Sequence, residues 1–242
     1  MKRLWLMIIS VVGIAMLSGC LYPQEELKKN QVPDDLQLEV VQQAVTDFQK
    51  QNNGRLPIKT RDSDTPTFIK YPIDFKKLKQ NGFLASTPGN AYEEGGYFQY
   101  VILDPENEAN VKLVDLRFAE KLRELNFQIE IYRNENLYPP FGEKITNEVY
   151  KVNAEKLGLE HPPVVKSPYS GSNLPVVMDS NGKLFIDYRI DLFKALQEHK
   201  HNYKPGDDIR MILAEHYPIV PAYSLPYTIE KGEPVFQTNK EN

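Results

Sequence analysis

The chain carries one cysteine, Cys20, and it stands at the end of an apolar run close to the N-terminus. A single thiol permits no intrachain disulfide and no multi-cysteine zinc site, so whatever folds beyond it must be held by a buried core. The 223 residues from Cys20 onward are enough for one large or two small domains. With 41% apolar and 11% aromatic residues, the composition is that of a globule and not of a disordered chain.

The first 20 residues have the three parts that export requires. Lys2 and Arg3 form a basic start, Leu4 to Leu17 an apolar stretch, and Ser18-Gly19 a small-residue exit. The apolar stretch of 14 residues is short of the roughly 20 that span a bilayer core, so it reads as a removable signal. Met16-Leu17-Ser18-Gly19-Cys20 resembles the lipobox of bacterial lipoproteins. The resemblance implies a diacylglyceryl group on the Cys20 thiol, cleavage between Gly19 and Cys20, and a new amine open to a further acyl chain. Two or three acyl chains anchor stably where one is marginal. With its short lipobox and abundant Lys and Asn, the whole chain resembles an uncharacterised lipoprotein family of low-GC Gram-positive bacteria.

Removing Lys2 and Arg3 takes the formal charge from −4 to about −6. A moderately acidic chain is a poor match for nucleic acid. Beside an anionic leaflet it is repelled on average, so the lipid is expected to do the holding and the globule to stand off. Leu21 to Asp34 mixes charge, Asn, Gln and Pro with no apolar period and reads as a flexible tether, with a reach of about 20 Å. The partners expected are the bilayer, through acyl chains on Cys20, and a membrane or envelope protein.

Beyond the tether the pattern predicts an α+β fold of repeated modules, each a helix, a short helix and a β-hairpin, packed together. Val41, Ala44, Val45 and Phe48 mark a helix over about residues 35 to 52, stopped at Asn53-Gly54. Asp74 to Leu78 reads as a short capped helix, and Tyr97 to Asp104 with Val111 to Leu116 as a hairpin. The order recurs in Phe118 to Tyr132, in Asn153 to Gly158, and in Asn173 to Asp187 across Ser180-Asn181-Gly182. A shortened third copy holds Asp191 to Gln197, Asp207 to Leu213, and Ser224 to Phe236. The expected division is a signal peptide (1–19), Cys20 with the tether (20–34), modules at 35–116 and 117–189, and a third module or cap at 190–242. The order of long helix, Leu-Pro segment and hairpin also resembles the globular heads of type II pseudopilins, in pattern only and without their N-terminus, so no pilin function carries over.

Chemistry is sparse. His199 and His201 are the closest histidine pair; on a helix their spacing points them to different sides, and they would need an extended segment and Asp207 or Asp208 to form a metal shell. A solvated surface is the favoured reading, so no metal, cofactor or catalytic residue is assigned. His161 and His216 add no usable spacing. Asp104, Glu106 and Glu108 read as a turn, as does Asp179, where Ile190 stands in the place of the Glu that would close a calcium loop. Glu93-Glu94 reads as a solvated strand entrance, and Ser167 to Ser172 as a linker into a strand in preference to a ligand loop. Neither a nucleophile elbow nor a phosphate-binding glycine loop is present in the sequence. The expected function is a non-enzymatic interaction or accessory lipoprotein on the outer face of the cytoplasmic membrane. The alternatives are a solute-binding lipoprotein of an ABC-type transporter and, third, an envelope hydrolase.

Overall fold

The computed structural model describes residues 34–237, so Gly19 and Cys20 lie outside the described residues. Helices and antiparallel sheets coexist in the α+β arrangement that the sequence predicts.

The first layer starts with α1 (Asp34–Gln51), whose buried Val41, Ala44, Val45 and Phe48 follow helical spacing. Gly54, at φ 80°, ends the turn that follows by donating its N–H to the Gln49 carbonyl. Asp74 caps α2 (Phe75–Gln80) by accepting from the Lys77 N–H. Both helices cover β1 (Phe98–Leu103) and β2 (Asn110–Asp115), an antiparallel hairpin whose Tyr100, Ile102, Val111 and Leu113 complete the core. The Gln42 amide reaches from α1 to the start of β2, donating to the Ala109 carbonyl at 3.0 Å and accepting from the Val111 N–H at 2.7 Å.

Neither edge of this hairpin is left bare. Ile73 donates to Tyr100 and Ile102 to Tyr71 along β1. Along β2, Leu113 donates to the Pro218 carbonyl and Val220 donates back to Leu113, a parallel bridge to a segment from the far end of the chain. A small core behind it packs Phe68, Val101, Leu103 and Val114 against Ala214, Val220 and Ala222. Unpaired strand groups would otherwise recruit another chain.

The second layer begins with α3 (Leu116–Asn136), which buries Phe118, Leu122, Leu125 and Ile129. Its sheet contains β3 (Phe141–Lys144), β4 (Val149–Val152), β5 (Val164–Lys166), β6 (Asn173–Asp179) and β7 (Leu184–Ile186). The strand order is β3-β4-β6-β5, with β7 also on β6. The β3–β4 pair and β5 add to the predicted hairpin, and residues 155–157 form a single 3₁₀ turn in place of a short α-helix. The chain then makes α4 (Arg189–Glu198), α5 (Met211–His216) and the hairpin of β8 (Tyr227–Glu230) and β9 (Glu233–Phe236). Helix, short helix and hairpin occur in that order in the first and last parts of the described residues, whereas in the second layer the β3–β4 pair comes between the helix and the 3₁₀ turn.

An Asp-x-Arg triplet recurs at the approach to three helices: Asp115-Leu116-Arg117, Asp187-Tyr188-Arg189 and Asp208-Ile209-Arg210. In each, the aspartate accepts the backbone N–H of the arginine two residues on, at 3.0, 3.1 and 3.1 Å. The arginine Nε and Nη2 donate back to the same carboxylate as a fork. The guanidinium then lies over an aromatic ring, Tyr97, Phe236 or Phe68, at 4.0, 4.7 and 5.1 Å. Asp115 is the N-cap of α3, while Asp187 and Asp208 stand just before the N-caps of α4 and α5; in each case one carboxylate holds the turn into the helix and orients an arginine that reaches another element. At the middle corner, buried Tyr227 adds a second tie: its hydroxyl accepts from the Tyr188 N–H and donates to the Ile186 carbonyl. Burial pushes the Tyr188 and Tyr227 hydroxyls well above their ordinary value.

The three corners differ in how far water reaches the acid: the Asp115 and Asp187 side chains are 1% and 5% exposed, whereas Asp208 is 37% exposed. Asp187→Ala is expected to cost roughly 2–3 kcal/mol, and Asp208→Ala about 1 kcal/mol. Urea unfolding midpoints check the ranking, and an Asp208→Ala loss as large as that of Asp187→Ala would refute it.

Candidate functional site

The outward face of α3 leaves large apolar side chains in water. Its inner face is spent on the core, and on the other side Phe127 and Ile131, one turn apart, stand exposed, Phe127 at 68%. The stripe has charged neighbours in Arg123, Glu124 and Glu130, and together with Phe127 these line a groove of about 570 Å³. The helix ends at Leu137, whose N–H donates to the Arg133 carbonyl at φ 65°. That left-handed position ordinarily goes to glycine, and a leucine there costs about 1 kcal/mol. Leu137 is also 89% exposed, so the core offers no compensation for the strain. Beside it Tyr138 is exposed and meets Tyr132 edge-on at 5.8 Å.

The histidines are arranged differently from the sequence pairing. His199, at the end of α4, stacks on His216, the last residue of α5, with centroids 3.6 Å apart and planes 6° from parallel. His201 stacks on Tyr203 at 5.7 Å. The His199 Nε2 and His201 Nδ1 atoms are buried without a hydrogen-bond partner. Asp207 accepts from the Lys204 N–H and Asp208 belongs to the third corner, so neither is free to complete a shell with the imidazoles. Among the described residues no group of three or more His, Cys, Asp or Glu is placed to hold a metal ion. His161 is exposed.

The acidic turns have local work. Asp104 accepts from the Asn107 amide, Asp179 from the Asn181 and Lys183 N–H groups in the β6–β7 turn, and Glu93 pairs with Lys59. The Ser167 to Ser172 loop is tied down instead of open. The buried Ser167 hydroxyl donates to Asp191 at 2.8 Å and accepts from the Tyr169 and Ser170 N–H groups, each at 3.0 Å. Ser170 donates to the other oxygen of Asp191. A hydroxyl so saturated staples the loop to α4.

Asp191 is itself buried, and desolvation raises its carboxyl above the ordinary range, against the two serine hydroxyls that hold it down. The folded chain therefore keeps this proton more tightly than the unfolded chain does. Its contribution to stability is present below the ordinary carboxylate value and is lost as the pH rises through the raised one. Asp191→Asn should flatten the fall in urea midpoint as the pH rises above the ordinary carboxylate value. An unchanged slope in the variant would show that Asp191 does not titrate in this way.

Residues 34–115 match the model of the YphF family N-terminal domain, an uncharacterised family often found in Gram-positive bacteria. No curated protein and no solved structure matches the chain. The match runs from the first residue of α1 to Asp115, the carboxylate of the first helix corner. That first layer, from α1 through β2, is therefore similar to the YphF family N-terminal domain.

Proposed function

We propose that the protein is a lipoprotein held by acyl chains on Cys20 at the outer face of the cytoplasmic membrane, with a globule that serves as a non-enzymatic interaction module of the cell envelope. The anchor rests on the lipobox at Met16 to Cys20. No helix among the described residues is long and apolar enough to cross a membrane. The observation that carries the interaction reading is the outer face of α3, where Phe127, Ile131 and the strained Leu137 are kept exposed. Aromatic and aliphatic side chains on a rigid helix are the usual anchors of a protein interface. A solute receptor is disfavoured by the architecture: its lobes are ordinarily doubly wound parallel sheets, and the named strands pair antiparallel.

Cys20→Ala should leave the chain uncleaved or released into the medium, as read by cell fractionation. A processed, membrane-bound Cys20→Ala chain would refute the anchor. A photo-crosslinking residue at Phe127 or Ile131 in intact cells should give a discrete protein adduct, absent when the same residue replaces exposed Lys76 on α2. Equal adducts at all three positions, or none at either α3 position, would refute the interaction surface.

A further inference from the structure

The chain is acidic as a whole, but its charge is unevenly placed. Between the first turns of α3 and β5 lies a groove of about 390 Å³, to whose wall Arg117, Lys121 and Lys166 contribute. Asp115 is the one carboxylate on that wall, and the Arg117 fork already engages it. That fork uses Nε and Nη2, so Nη1 remains for a ligand on a side chain that is 59% exposed. Lys166 is exposed and has no ion pair among the described residues. Lys121 meets only Glu124, in a surface pair that water competes for. Three cations thus converge where one neutralised acid stands.

The groove also lies near Asp34, whose charge acts on Arg117. Asp34, the first described residue, accepts from the Asn90 amide at 2.8 Å, and the Asn90 N–H donates to Gln37. Gly96 packs so closely on Asn90 that a Cβ would sit 2.1 Å from its carbonyl. The following Tyr97 carries the Arg117 guanidinium, and the charge of Asp34 is felt at Arg117. Tyr92 and Tyr97 are exposed here and share an adjoining groove with Arg117. Tyrosines beside cations are the side chains that favour a membrane interface. The nearby acids limit the positive area: Glu93 is paired with Lys59 and Glu120 with Arg123, while Glu94 and Asp35 stay in water.

We propose that the groove of Arg117, Lys121 and Lys166 binds the phosphate of an anionic phospholipid headgroup, docking the tether end of the globule on the membrane that holds Cys20. This rests on the lipid-anchor reading above. Arg117 presents Nη1 to a phosphate oxygen, the two lysines supply point charges, and the tyrosines lie at the headgroup level. Average repulsion from the leaflet then orients the globule with its acidic remainder turned away.

The test uses the full lipidated chain on vesicles of phosphatidylcholine alone and of phosphatidylcholine with phosphatidylglycerol, followed by hydrogen exchange. Residues 92–97, 117–123 and 164–168 should exchange at least about threefold more slowly on the phosphatidylglycerol vesicles. The effect should vanish in molar salt and in the Lys121→Glu/Lys166→Glu chain, whose exposed substitutions leave the core untouched. Equal exchange on both vesicles would overturn the proposal. Slowing by free inorganic phosphate on phosphatidylcholine vesicles would overturn the membrane source and assign the groove to a soluble anion. The mass of the N-terminal peptide reports Cys20 acylation separately, so failure of the anchor and failure of the docking are distinct results.

Discussion

The buried aspartate at the head of a helix is the interaction on which most of the architecture turns. A charge in the interior is tolerated only when its lone pairs are filled, and Asp115 and Asp187 fill theirs with one backbone N–H and an arginine fork. The fork fixes the arginine plane, and the plane selects the ring on which it lies. Tyr97 belongs to the loop before β1, Phe236 to the last strand, and Phe68 to the first layer, so each corner joins its helix to a different part of the chain. Without a thiol in the described residues, these corners and the cores beneath them do the cross-linking that small exported domains often give to disulfides.

Much of the secondary structure was legible because it depends on local periodicity. The predicted first helix differs from α1 by one residue at each end, and the Asn181-Gly182 turn lies between β6 and β7. The strands β3 and β5 were not legible, since Phe141-Gly142-Glu143-Lys144 has no alternation and Val164-Val165-Lys166 is too short to show any. Their existence depends on neighbours that only the tertiary fold supplies. The Asp-x-Arg corners were visible as letters, yet two residues of opposite charge at that spacing look like an ordinary solvated helix start. Their meaning comes from burial and from a ring distant in sequence. The same holds for His199 and His216, which meet through the packing of α4 on α5.

Net charge describes the chain poorly at the scale where contacts form. Asp191 is embedded with two serines, Asp104 and Asp179 shape turns, and Glu93 and Glu120 are paired, so many acids have local partners. The cations along the first turns of α3 are paired too, Arg117 with Asp115, Lys121 with Glu124 and Arg123 with Glu120, but their side chains stay more than half exposed. A long helix that starts among cations and ends in an exposed apolar cap carries different chemistry at its two ends, which are about 30 Å apart for 21 residues.

The bridge between Leu113 and Val220 bears on how such a domain can be inherited. The part similar to the YphF N-terminal domain stops at Asp115, but the outer edge of its last strand is closed by Pro218 to Val220. A gene fragment cut at that boundary would encode a hairpin with an empty slot beside β2. In this chain the slot is filled from its own C-terminal half. The stretch that matches the family model and the stretch needed to close its sheet edge are in this chain two different lengths.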